Sequence, residues 1–154
     1  MNKPRLYVLI GISGAGKTTY CKEKLIPDLE KEGRKFVYLS SDDIREELYG
    51  DASIQGSPKQ VFNIMNQKKN IALENGKDVI FDATNIKKTE RVKFTLVTTE
   101  ECEKIAVFLE VTEQTAKDRQ KGRDRQVSDA VIFHMVNRLE KPTIEEGFDK
   151  IIEI

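Results

Sequence analysis

The segment Gly11-Ile12-Ser13-Gly14-Ala15-Gly16-Lys17-Thr18 restricts what this chain can fold into more than any other stretch. It matches G-x-x-x-x-G-K-[ST] at every fixed position, follows the apolar run Arg5 to Ile10, and opens a helical pattern from Lys17 to about Glu32 that Gly33 stops. Glycines allow consecutive backbone N–H groups to converge on one anion, where side chains would obstruct the approach. The helix starting there adds the partial positive charge of its N-terminus. Strand, glycine turn and helix together are the context in which such a loop holds a nucleoside triphosphate. Lys17 is then placed to reach the β- and γ-phosphates, and the Thr18 hydroxyl to coordinate Mg²⁺ between them. Gly11, Ser13, Gly14, Ala15, Gly16, Lys17, Thr18 and Thr19 are the expected nucleotide contacts. An N-K-x-D guanine signature is missing, because Asn2-Lys3-Pro4-Arg5 lacks the acid and precedes the first strand, so ATP is the expected donor.

The same alternation of apolar runs and amphipathic stretches continues along the chain. Phe36 to Leu39 reads as a second strand, after which Ser41 or Asp42 caps a short helix through Leu48, and 50–56 reads as a mobile loop. Ser57 and Pro58 start a longer helix, with Val61, Ile64, Met65, Lys68, Ile71 and Ala72 on its inner face and Gly76 at its end. Val79 to Phe81 is a third strand, followed by a helix over 89–98; Ile105 to Val111 is a fourth, followed by a helix capped at Thr112. Ser128 caps a last helix to about Glu140, and Ile151 to Ile154 is a β-like tail. Strands separated by helices predict a three-layer α/β/α fold around a parallel sheet of four to five strands.

No linker, repeat or composition shift divides residues 1–154, so a single domain is expected. Two cysteines and one histidine cannot make a four-ligand zinc site or a disulfide framework, and no apolar run reaches the length of a membrane span. A cytoplasmic protein without membrane attachment is the expectation. Lys and Arg together number 26, as do Asp and Glu, and this balance excludes a protein that coats long nucleic acid by neutralising phosphates. It does not exclude one that grips a single end. The apolar face from Val127 to Leu139 serves the core or a homo-oligomer interface equally well.

Ligands of doubly wound sheets bind at the carboxyl ends of the strands. After the second strand comes Ser41-Asp42-Asp43-Ile44-Arg45, where the Asp42 carboxylate is placed to deprotonate an acceptor hydroxyl and Arg45, three residues on, to bind an anion of that acceptor. After the third comes Asp82-Ala83-Thr84-Asn85: Asp82 is placed to support Mg²⁺ ligands, and Thr84 and Asn85 to hydrogen-bond the acceptor. Lys87, Lys88, Arg91 and Lys93 against Glu90 make a local +3 that reads as a solvated face or an acceptor-phosphate patch. A second +3 segment runs from Lys117 to Arg125, inside a lid predicted over 117–127. Its Arg123 is placed for the transferred phosphoryl group and its Arg119 for packing on the nucleotide. Cys21 and Cys102 are read as structural.

These residues in this order, GISGAGKT, SDDIR, DATN and Arg119-x-x-x-Arg123, resemble the polynucleotide 5′-hydroxyl kinase family, in particular the kinase module of phage polynucleotide kinase-phosphatases. The resemblance runs over essentially the whole chain. It implies ATP and Mg²⁺ at Lys17 and Thr18, Asp42 as general base, Arg45 on the acceptor's 3′-phosphate, Arg123 on the transferred group, and Asp82 and Thr84 lining the acceptor site. The acceptor it implies is the 5′-OH end of DNA or RNA, in nucleic-acid end repair. A D-x-D-x-T motif is missing, so no phosphatase domain is expected, and Val127-Ser128 replaces the family's Val-Pro with a residue that also caps a helix. The same loop and Asp-x-x-Arg arrangement resembles kinases of small metabolites, nucleosides and nucleotides, which is the alternative reading.

Overall fold

The computed structural model describes residues 3–52, 54, 56–123 and 126–154. Five strands, β1 (Arg5–Ile10), β2 (Phe36–Ser40), β3 (Asp78–Asp82), β4 (Glu103–Phe108) and β5 (Lys150–Glu153), form one sheet in the order β2-β3-β1-β4-β5, every neighbouring pair parallel. The expected three-layer α/β/α architecture is what the chain adopts. Parallel strands are buried on both faces, which explains why the strands read as near-continuous apolar runs.

Alternate residues of each strand feed two cores. Leu6, Val8, Ile10, Val79 and Phe81 face α3 (Ser41–Tyr49) and α4 (Pro58–Glu74), meeting Ile44, Val61, Met65 and Leu73. Tyr7, Leu9, Ile80, Ile105 and Val107 face the opposite layer, built from α1 (Lys17–Tyr20), α2 (Ile26–Lys31), α6 (Glu113–Gln120) and α7 (Asp129–Arg138). The first helix is continuous through a π turn at Cys21–Leu25 that joins α1 to α2. Pro27 accounts for that turn: a proline inside a helix lacks an N–H and clashes with the carbonyl four residues earlier, and a wider turn relieves both. A second π turn, Arg91–Thr95, continues α5 (Lys88–Glu90). At the lower edge of the sheet Arg34 forks onto the buried Asp78 at 2.6 and 3.0 Å, and Asp78 also accepts from the Arg5 backbone N–H at 2.8 Å.

Several sequence expectations shift. The cap of α3 is Ser40, whose side chain accepts from the Asp43 N–H, in place of the expected Ser41 or Asp42. On α4, Val61, Met65 and Ala72 face inward as expected, but Ile71 is 59% exposed while Lys69 is wholly buried. The Lys69 ammonium donates to Asn66 Oδ1 and to the carbonyls of Phe94, Thr95 and Val97, so it closes the C-terminal end of the neighbouring helix. Arg91, expected on a solvated face or in an acceptor-phosphate patch, belongs to neither: it is fully buried against Glu146 at 2.7 Å. Among the described residues no helix is long and apolar enough to cross a membrane. On α7, Ile132 enters the core, while Val131, Phe133 and Val136 remain exposed.

Candidate phosphotransfer site

The loop between β1 and α1 stands at the carboxyl edge of the sheet, tied down by the Gly11 N–H donating to the Thr84 carbonyl at 3.0 Å. A Cβ at Gly14 would lie 2.8 Å from the Ala116 carbonyl, and φ at that residue is +88°, so the loop needs glycine there for both space and backbone conformation. Gly11 is also crowded, with a Cβ position 2.9 Å from the Leu109 carbonyl.

Lys17 folds over this loop, its ammonium donating to the carbonyls of Gly11 and Ile12 at 2.9 and 3.0 Å. Burial of that ammonium lowers it to about 8, with Asp82 and Asp42 opposing the shift and Arg123 adding to it. A half-buried cation folded onto backbone carbonyls, at a helix start shaped for an anion, fits a polyphosphate. Thr18 and Thr19 are exposed beside it. The Thr18 hydroxyl lies 3.3 Å from Asp82 Oδ2, the position in which a hydroxyl and a carboxylate would share a hydrated Mg²⁺.

Asp82 ends β3 and is buried, and burial raises its carboxyl above the ordinary range while Lys17 and the hydrogen bonds from Tyr38 and Thr18 pull it down. The Tyr38 hydroxyl, from β2, donates to the same oxygen as Thr18 does. Burial, reinforced by Asp82, raises the Tyr38 phenol, which keeps it a donor. Tyr38 is a site residue the sequence reading missed; its place two residues before the β2 carboxyl end, opposite Ile80 of the neighbouring strand, is the signal that could have found it.

Asp42 begins α3 across from the loop. One carboxylate oxygen is 3.1 Å from Arg45 Nη1, and the other is 3.6 Å from Arg123 Nη2. Arg123 also donates through Nη1 to Ser13 Oγ at 2.7 Å, so this one guanidinium spans the loop and the acceptor side. Arg119 donates to the Gly14 carbonyl at 3.0 Å. The segment expected as a lid over 117–127 is therefore helical at its start, and it lies on the loop. Buried Gln120 anchors it, placing its amide nitrogen 3.4 Å from Ser13 Oγ and accepting from the Val127 N–H at 3.1 Å. Asp124 and Arg125 of this segment lie outside the described residues.

The structure thus brings Lys17, Thr18, Asp42, Arg45, Asp82, Arg119 and Arg123 to one edge of the sheet, with half-buried Thr84 beside Gly11. It does not bring Asn85 there as an acceptor contact. Asn85 is buried with a left-handed φ of 50°, and its amide donates to the Leu9 and Ala83 carbonyls beneath the loop. A short polar side chain is what such a backbone conformation favours. Arg91 donates to the Asn85 carbonyl at 2.7 Å, so a buried chain of bonds runs from Glu146 through Arg91 and Asn85 to the end of β1. Cys21 is buried below the loop, its thiol pushed up by burial to about 12, and Cys102 is also buried. Both are unreactive by that measure.

A parallel sheet in this order, carrying this loop and an arginine-bearing segment on top of it, defines a kinase-like P-loop fold. The chain belongs to the AAA domain family, whose profile it matches over residues 6–142. Kti12 from Chaetomium thermophilum, solved in complex with ADP-AlF3, has a TM-score of 0.77 at 17% identity, over 97% of this chain and 88% of that one. A chain of the Pnkp1/Rnl/Hen1 RNA repair complex has a TM-score of 0.72 at 19% identity over 90% of this chain, which spans 45% of that chain's length. A gluconokinase from Sinorhizobium meliloti 1021 has a TM-score of 0.61 at 16% identity, over 100% of this chain and 83% of that one. These likenesses are of fold. No curated protein sequence matches the chain.

Proposed function

We propose that this protein is an ATP-dependent polynucleotide 5′-hydroxyl kinase. The observation that carries the reading is the cluster of Asp42, Arg45 and Arg123 facing the phosphate loop, because it supplies a base, an anion holder and a charge stabiliser around one point. The acceptor hydroxyl gives its proton to the Asp42 carboxylate as its oxygen bonds to the γ-phosphorus; the bond from that phosphorus to the β–γ bridging oxygen breaks, and ADP leaves. Lys17 holds the β- and γ-phosphates, and Arg119 lies on the nucleotide side. Arg123, already on Ser13, neutralises charge on the transferring group. Mg²⁺ held at Thr18, with Asp82 behind it, would supply further neutralisation of the phosphates. Tyr38 keeps the Asp82 carboxylate oriented toward Thr18.

Arg45 is almost fully buried, and its guanidinium is fixed in line with Asp42, so it suits an acceptor carrying an anion close to the reacting hydroxyl. A nucleotide with a 3′-phosphate and a 5′-OH has that form, and the fold shared with a chain of an RNA repair complex supports it. A small metabolite bearing a carboxylate is the second reading, supported by the fold shared with a gluconokinase.

Transfer of label from γ-labelled ATP to a 5′-OH oligonucleotide, uridine 3′-monophosphate, uridine and gluconate separates the two readings. The proposal expects label on the first two; labelled gluconate with unlabelled oligonucleotide overturns it. Arg45→Ala is expected to raise KM for uridine 3′-monophosphate on the order of tenfold or more while changing KM for uridine much less, as loss of a charge-assisted bond predicts. Equal losses on both acceptors would remove Arg45 from acceptor binding.

A further inference from the structure

On the layer that carries α4 and α5, an open groove of about 300 Å³ runs between the two helices. One wall is the α4 stripe Asn63, Asn66, Gln67 and Asn70. Their spacing of three, four and seven residues is that of a helix face turned toward a neighbour, a face that is ordinarily apolar. Here it is all amide. The other wall is Phe94, 53% exposed, Val97, 58% exposed, and the exposed Lys93.

Two of the amides have a forced orientation. Asn66 meets the Lys69 ammonium at 2.8 Å, and Asn70 meets the Thr99 backbone N–H at 3.3 Å. Both partners can only donate, so each amide must turn its oxygen inward and its NH₂ group away from them. The stripe can therefore offer amide donors to the groove, beside the Lys93 ammonium and the exposed Phe94 ring. Amide donors for base carbonyls, a ring for stacking and a cation for phosphate are the elements by which single-stranded nucleic acid is held.

The position of the groove agrees with this. α4 runs back from the carboxyl edge of the parallel sheet toward the start of β3, so Asn63 lies at the end nearer Asp42 and Asp82. α5 also starts at that edge with Lys88, and Phe94 follows roughly 9 Å further along the helix axis. A strand whose 5′ end is at Asp42 would pass Lys87 and Lys88 before reaching Phe94.

We infer that the groove between α4 and the helix containing Phe94 holds nucleobases of the acceptor strand downstream of its 5′ end, Phe94 stacking on a base and the amide stripe donating to base carbonyls. The inference rests on the polynucleotide kinase reading for its choice of ligand, and its test is independent of transfer. Binding of fluorescein-labelled decauridylate is measured by anisotropy without ATP, for the wild type, Phe94→Ala and the double variant Asn63→Ala/Gln67→Ala, all changes at exposed positions. Each variant is expected to bind about tenfold more weakly, in line with loss of one stacked base or its hydrogen bonds. Transfer to uridine 3′-monophosphate, too short to reach the groove, is expected to remain at the wild-type rate, which separates groove loss from damage to the fold.

Wild-type failure to bind decauridylate, or binding unchanged in both variants, overturns the groove assignment even if oligonucleotides are phosphorylated. Binding that depends on Phe94 in a protein that transfers phosphate to no 5′-OH nucleic acid supports the groove and overturns the kinase reading.

Discussion

Asp42→Asn is expected to lower the rate of phosphoryl transfer at saturating ATP by about 10²- to 10⁴-fold, the usual contribution of a general base, with little change in nucleotide affinity. The substitution keeps the size of the side chain and the start of α3, whose cap is Ser40 and not Asp42. Nucleotide contacts expected at Lys17, Thr18 and the loop glycines lie on the opposite side of the cleft. Single-turnover transfer to an oligonucleotide, together with equilibrium binding of a fluorescent ATP analogue, reads the two effects separately. Transfer persisting within about tenfold of the wild type would show that the hydroxyl proton goes elsewhere.

The largest effect on stability is expected away from the cleft, at Glu146→Ala. Both side chains of the Arg91–Glu146 pair are wholly buried, with Arg91 Nε 2.7 Å and Nη2 3.1 Å from the two carboxylate oxygens. Glu146 also accepts from the Thr143 N–H, which closes the capping box of the short 3₁₀ turn Ile144–Glu146. Removing the carboxylate leaves a guanidinium uncompensated in the interior, at a cost of about 3–5 kcal/mol. Against a total stability of about 5–15 kcal/mol for a domain, that is a large fraction. Urea denaturation of the variant measures it. The double substitution Arg91→Met/Glu146→Leu is expected to recover most of the loss, since an apolar pair carries no desolvation penalty. A loss below about 1 kcal/mol in the single variant would place the pair with exposed ion pairs and contradict its burial.

The features legible in the sequence are those whose cause is local. Strand runs, the glycine turn, Ser57 and Ser128 as helix caps, and Gly33 and Gly76 as helix ends each follow from neighbouring residues, and the structure has all of them. Asp42, Arg123 and Lys17 could be expected near one another because strand ends of a parallel sheet share an edge. What could not be read depends on partners distant in sequence. Arg91 looks like one of four surface cations because its carboxylate is 55 residues away. Lys69 is buried because three carbonyls 25 to 28 residues on need a donor. Tyr38 reads as an apolar strand residue until β3 brings Asp82 beside it. In Asn85 the side chain suited to an acceptor is the same one suited to a left-handed backbone beneath the loop, and the second use prevails.

The central place of β1 has a consequence for how the protein is made. β1 leaves the ribosome before both of its neighbours in the sheet, β3 at Asp78–Asp82 and β4 at Glu103–Phe108. At about 5–20 residues per second, translation leaves that apolar strand without either partner for roughly 3 to 14 seconds. Gly11 cannot make its bond to Thr84 before then, so a nascent chain has no phosphate loop to offer. Nucleotide capture during synthesis would accordingly mark the moment at which the middle of the sheet has closed, and the waiting strand is where a chaperone would be most needed.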